Sequence, residues 1–276
     1  MKPYIIPIFI PFQGCPFHCV YCQQEDITAT PAQLPSVDQI SEKIQTYLAT
    51  RHPGKYSHVE VAFYGGTFTG LPSQDIENML SAVHPYIERG QVNRIRASTK
   101  PDYISPEVLD FISPYGLNTI ELGVQSFDDG VLKQVGRGYT AAQVTTAVQI
   151  LRNRGFKIGL QLMPGLPGAD ADEALLSVEK AIQLQPDFVR IYPTLVLKNT
   201  ALARLYQKGL YQPWSLEQAI QTCRKIQTKF AAANIPIIKM GLEFSSNERE
   251  GILAGPYHPN FRQWIMENKL LTQGPF

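Results

Sequence analysis

Strand-like apolar runs alternate with helix-like periodic runs through most of this chain, and that alternation limits the fold more than any other feature. Ile5 to Pro11 reads as a first, buried strand. Ser36 with Gln39 has the pattern of a capping box, and Val37, Ile40, Ile44 and Leu48 then keep helical spacing. His58 to Tyr64 is a second strand, closed by Gly65-Gly66-Thr67. Ser73 is the expected cap of a helix striped by Ile76, Leu80, Val83 and Ile87. Further strands are expected at Val92 to Ser98, Thr119 to Val124, Lys157 to Leu162 and Phe188 to Tyr192, with a short seventh at Pro236 to Met240. Between them lie expected helices from Pro106 to Ile112, after the Thr140–Gln143 box, from about Ala171 to Leu184, and after Ser215 with Gln218. Repeated β-α units with near-continuous apolar strands predict an α/β fold of parallel strands covered by helices. Six or seven such units predict a barrel, complete or partial.

In such folds the working face lies at the C-terminal ends of the strands. The unusual residues fall there: the cysteine loop after the first strand, Gly65-Gly66-Thr67, Ser98-Thr99-Lys100, Gln125-Ser126, and Gln161 through Pro167. Three of the four cysteines, Cys15, Cys19 and Cys22, sit within eight residues, and Cys223 lies far away. Three thiolates are one short of the four that fill a structural zinc or an ordinary 4Fe-4S site. The set suits a cluster with one iron left open, or a zinc knuckle that borrows His18.

The chain has 276 residues, 44% of them apolar and 18% charged, enough for a sizeable core. A formal net charge of +1 gives no overall field toward nucleic acid or an anionic membrane, and no DNA partner is expected. No uncharged apolar run reaches ~18 residues, so no transmembrane helix is expected. Clustered cysteines without a signal peptide fit a cytoplasmic, reducing setting and a metal centre rather than a disulfide.

C-x3-C-x2-C with an aromatic residue before the last cysteine, here Cys15, Cys19, Tyr21 and Cys22, resembles the signature of the radical S-adenosylmethionine (SAM) superfamily. The segments Phe63 to Phe68, Thr99 to Asp102, Glu121 to Ser126, Gln161 to Gly168 and Arg190 to Thr194 extend the likeness in order over roughly residues 5 to 245. Within that superfamily the chain resembles the radical-SAM domain of the Elongator catalytic subunit and, more distantly, oxygen-independent coproporphyrinogen oxidase. Two departures are visible. Nothing after residue 245 is long enough for Elongator's acetyltransferase domain, and the cysteine loop is more compact. The likeness is therefore to small stand-alone bacterial relatives.

The resemblance implies a radical-SAM partial TIM-type (β/α)6 barrel over residues 1–245, with the possible short seventh strand noted above. Residues 246–276 would form a C-terminal extension packed on it. It also implies an oxygen-sensitive enzyme, an oxidoreductase or a transferase, with Cys15, Cys19 and Cys22 holding a 4Fe-4S cluster whose open iron binds SAM. An external one-electron donor such as flavodoxin or ferredoxin would be the partner. Gly65, Gly66 and Thr67 are expected near the methionine amino group, and Ser98 and Lys100 at the next strand end. Lys100 or Arg137 is the expected partner of the SAM carboxylate. Gln125 and Gln161 are expected at the ribose, and Tyr21 and Met163 at adenine. No residue is singled out as catalytic.

Blander readings stand beside these. Gly65-Gly66 also suits an ordinary turn, and Lys100 and Arg137 also suit solvated charges. Cys223 shares a helical face with Ile220, Ile226 and Phe230 and reads as core, while His52, His58 and His84 read as surface or structural. Lys239 and Glu243 flank the seventh strand, and His258 and Arg262 in the tail are candidate substrate contacts. The basic residues Arg89, Arg94, Arg96, Arg152, Arg154 and Lys157 read mostly as solvated. Three functions remain open: a radical-SAM enzyme on RNA or a nucleotide, one on a small molecule or peptide, and a non-catalytic cluster- or SAM-binding scaffold.

Overall fold

The computed structural model describes residues 2–16, 19–23, 33–52 and 54–267. The zinc reading that borrows His18 lies outside the described residues. The chain divides into two compact units. The first comprises residues 1–16, 28–123 and 146–158, and the second residues 17–27, 124–145 and 159–276.

In the first unit, β1 (Tyr4–Phe9), β2 (Val59–Tyr64), β3 (Arg94–Thr99) and the body of β4 (Leu117–Gln125) pair in parallel and in chain order. Parallel neighbours need crossovers, and α1 (Val37–Thr50), α2 (Ser73–Glu88) and α3 (Pro106–Ile112) supply them. Ser36 does cap α1 through a full capping box with Gln39. Ser73 is not a cap: Pro72 takes that position, and Ser73 is the first helical residue. Val37, read as part of the apolar stripe of α1, is exposed, so Ile40 and Ile44 carry the burial. Period-2 alternation places Val59, Val61, Phe63, Ile95 and Ala97 on an apolar face, all fully buried.

The opposite face is polar. Glu60, Arg96 and Glu121 lie there on three adjacent strands. Arg96 bonds Glu60 through Nη2 and Glu121 through Nη1, the latter at 2.8 Å, and His58 reaches Glu60 at 2.6 Å. Arg96, read in the sequence with the solvated charges, is therefore buried and ion-paired. Its carboxylate partners explain why a guanidinium tolerates that position, since a buried charge is costly unless paired.

In the second unit, β5 (Lys157–Leu162), β6 (Phe188–Ile191) and β8 (Ile237–Met240) pair in parallel, and α6 (Ala171–Gln183) joins the first two. α4 (Asp129–Gln134) follows β4, and α5 (Ala141–Asn153) leads back toward β5. Between β6 and β8 come a short strand β7 (Val196–Leu197), α7 (Ala201–Gln207) and α8 (Leu216–Ala232). Cys223 on α8 is fully buried, and burial pushes its thiol pKa up. Then α9 (Ser246–Arg249), β9 (Ile252–Ala254), which pairs antiparallel with β7, and α10 (Phe261–Met266) complete the described chain. Among the described residues, no helix is long and apolar enough to cross a membrane.

Candidate active site

In the first unit the cysteine loop begins where β1 ends, and the turn after β2 holds it. Thr67 N–H donates to Gln13 O at 2.7 Å, and Cys15 Sγ lies 3.2 Å from Thr67 Oγ1. Gly66 has φ +55°, and a Cβ there would lie 2.3 Å from Gln13 O and 2.6 Å from Ile10 O. Gly14 has φ +71°, and its Cβ would meet Thr67 O at 2.2 Å. The glycines are thus required by main chain meeting main chain, an ordinary steric demand for residues without Cβ. This locks the segment carrying Cys15 onto Gly65-Gly66-Thr67.

Lys100, after β3, is buried and bonds Asp102 Oδ2 at 3.1 Å, with its ammonium 5.5 Å from the Tyr103 ring centre. Ser98 is half-buried on the polar face of β3.

In the second unit Arg137 is the organising residue. It is buried, and its Nε donates to the Tyr139 hydroxyl at 2.8 Å. Its Nη1 donates to Cys19 Sγ and to the Tyr21 hydroxyl, each at 3.3 Å. Tyr139 passes the chain on by donating to Val124 O at 2.8 Å. Burial works to lower the Arg137 pKa, but Tyr139, Tyr21 and Cys19 outweigh it and raise the value, so the guanidinium stays charged. Burial raises the Tyr21 pKa, against the pull of Arg137, and keeps the phenol neutral. Cys19, Cys22 and Met163 pack half-buried against a core that includes Tyr21, Val135, Leu166 and Tyr211.

Gln125 ends β4 in a left-handed conformation, φ +71°, unusual for a residue with a side chain. Gln161 Nε2 lies 3.4 Å from Gln125 Oε1, and Met163 N–H donates to Gln125 O at 2.9 Å. The polar residues expected from β4 and β5 therefore meet. Ser126, singled out with Gln125 at this strand end, lies here too, as do Tyr139, Glu173 and Ser177, whose side chains sequence reasoning passed over. Hydroxyl and carboxylate residues inside loops and helix starts carry no periodic signal.

Lys239 pairs with Glu243 at 2.7 Å, and Arg262 Nη2 donates to Ile237 O at 3.4 Å. His258 stacks on Trp264 with ring centres 3.7 Å apart. All four tail and strand-end residues, Lys239, Glu243, His258 and Arg262, thus have partners within the chain.

Among the described residues, no three His, Cys, Asp or Glu side chains are grouped so as to hold a metal ion as they stand. The donor chemistry does fit an iron–sulfur cluster. Cys15, Cys19 and Cys22 are half-buried thiols outside any disulfide, and a charged guanidinium donates to one of the sulfurs.

Comparison with known proteins identifies the family. The sequence model described as the Radical SAM superfamily matches residues 9–181, and that of the radical SAM C-terminal domain matches residues 186–270. The tRNA uridine(34) acetyltransferase of Methanocaldococcus jannaschii is 29% identical over 206 residues, which are 66% of this chain and 37% of that protein. The heme chaperone HemW of Lactococcus lactis is 27% identical over 76% of this chain and 54% of its own length. The chain thus spans between about a third and about a half of these relatives. Archaeal Elp3 from Methanocaldococcus infernus superposes with a TM-score of 0.74 over 97% of this chain and 62% of that one, at 20% identity. That likeness shows the fold, the partial TIM-type barrel.

Proposed function

Because the chain belongs to the radical SAM superfamily, with its 4Fe-4S cluster and SAM as cofactors, we propose that it is an enzyme abstracting hydrogen from an RNA nucleotide. When bound, these cofactors would supply the hard chemistry, the reductive cleavage of SAM to methionine and a hydrogen-abstracting 5′-deoxyadenosyl radical. Cys15, Cys19 and Cys22 would hold the cluster. Arg137 would keep a hydrogen-bond donor and positive charge beside the Cys19 sulfur.

The remaining roles follow from strand-end placement. Gly65, Gly66 and Thr67 would present main-chain groups to the methionine amino end, with Ser98 and Lys100 alongside. Lys100 or Arg137 would face the carboxylate. Gln125 and Gln161, already in contact, would offer amides to the ribose hydroxyls, and Tyr21 and Met163 would flank adenine. A flavodoxin- or ferredoxin-type donor in the cytoplasm would deliver the electron.

The observation supporting an RNA substrate is the 29% identity to a tRNA uridine(34) acetyltransferase. A second reading, a small-molecule or peptide substrate, is favoured by the net charge of +1, since phosphate-backbone binding draws on basic surface. Comparing modified nucleosides and metabolites of a deletion strain with those of its parent separates the two. A missing tRNA nucleoside supports the first reading. An unchanged nucleoside profile with an accumulated metabolite or unmodified peptide overturns it in favour of the second.

A further inference from the structure

The turn at Gln125 is held by a device that the cofactor reading leaves unassigned. Ser126 N–H donates back to Val124 O at 3.0 Å across the left-handed Gln125, closing a three-residue turn of the rare, strained hand. Such strain persists only where the surroundings over-determine it. Here they do. The Ser126 hydroxyl donates to Glu173 Oε1 at 2.6 Å, and the Ser177 hydroxyl donates to the same oxygen at 2.5 Å. Ser177 Oγ also accepts Phe127 N–H at 2.7 Å, and Ser126 Oγ accepts Asp128 N–H at 2.9 Å. Lys180 Nζ closes the set by donating to Phe127 O at 3.1 Å.

Glu173 is itself fixed. Asp170 caps α6 by accepting Glu173 N–H at 2.8 Å, so the carboxylate springs from a rigid first turn, where the helix dipole favours negative charge. Both serines are almost fully buried, and an unpaired hydroxyl would be costly there. One carboxylate oxygen therefore satisfies two buried donors, and the two residues after Gln125, Ser126 and Phe127, are tied to the helix.

We infer that Glu173 is a positioning residue: through Ser126 and Ser177 it locks the strained turn that aims the Gln125 amide at SAM. This rests on the reading that Gln125 meets SAM. A brace serving stability alone would change melting temperature while leaving the affinity of the folded protein for SAM untouched.

The test titrates SAM into anaerobically reconstituted wild type, Glu173→Ala, Glu173→Gln, Gln125→Ala and the Gln125→Ala/Glu173→Ala double variant. The readouts are the change in the cluster's electron paramagnetic resonance spectrum, iron content and Tm. Glu173→Ala is expected to weaken SAM binding about tenfold with iron content unchanged, and Glu173→Gln, which keeps an acceptor oxygen, to recover most of that loss. In the Gln125→Ala background the further loss is expected to stay below about twofold, because both changes remove one interaction. Should Glu173→Ala fail to fold, Glu173→Gln with Ser126→Ala makes the same comparison. A Glu173→Ala affinity equal to wild type, or losses that multiply in the double variant, overturns the inference alone. A wild type with an intact cluster that binds no SAM overturns the reading of the site, and the inference with it.

Discussion

Arg137 Nη1 sits 3.3 Å from Cys19 Sγ and 3.3 Å from the Tyr21 hydroxyl, so one buried cation serves two residues of the cysteine motif. The Cys19 sulfur is given a charged donor by a residue more than a hundred positions away.

Replacing Arg137 tests that link. Arg137→Leu removes the donor to the Tyr21 hydroxyl, while Tyr139 keeps its bond to Val124 O, and urea unfolding should show a loss of about 1–3 kcal/mol. Arg137→Lys should recover little, because an ammonium cannot reproduce the planar fork that reaches three partners. Unfolding midpoints equal to wild type in both variants would contradict the geometry.

Thiol labelling reads burial directly. The chain has four cysteines, of which Cys15, Cys19 and Cys22 are half-buried and Cys223 is fully buried with its pKa raised. Cluster-free native protein should react at three thiols, with Cys223 reacting only after denaturant is added. Mass spectrometry of labelled peptides identifies which thiols react, and rapid native labelling of Cys223 would refute its place in the core.

The buried Arg96 group makes a different prediction. Arg96→Met leaves Glu60 and Glu121 without their shared cation, and breaking a buried pair from one side costs about 3–5 kcal/mol. Replacing all three by well-packed apolar residues should cost far less, because no charge is then left stranded. Chemical denaturation of the single and triple variants checks the contrast.

His258 gives the pH dependence its sign. Burial lowers its pKa below 6.5, and its Nδ1 accepts Asn260 N–H at 3.0 Å, which requires the neutral ring. Between the folded and unfolded values the unfolded chain binds more protons, so stability rises with pH through that window and is lost as pH falls. His258→Gln should remove this part of the acid-side loss. A wild-type melting temperature that rises from pH 7 to pH 5 would reverse the sign.

Much of the fold was legible because its signals are periodic. The six main strands and the seventh were found within two or three residues of their observed ends, and the capping box at Ser36 identified a helix start. Short elements escaped. The β7–β9 pair, α4, α7 and α10 are too brief for a period to stand out from composition. At the site, the cysteines were legible from spacing, but the demand on Gly66 was not. A glycine kept for a close approach looks the same in sequence whether a ligand or the chain's own Gln13 carbonyl approaches. Arg96 was read with the solvated charges for a related reason, and Arg137, expected at the SAM carboxylate, gave no sign of the buried partners it has. Their carboxylate, phenol and sulfur partners come from distant segments, and only the folded chain brings them together.

The central claim is that these residues serve a cluster that splits SAM. Anaerobically reconstituted protein, given SAM and dithionite, should carry about four irons per chain and release 5′-deoxyadenosine and methionine. The Cys19→Ala variant, folded as judged by circular dichroism, should do neither. Release of both products by Cys19→Ala, or none from wild type carrying its full complement of iron, would contradict the account.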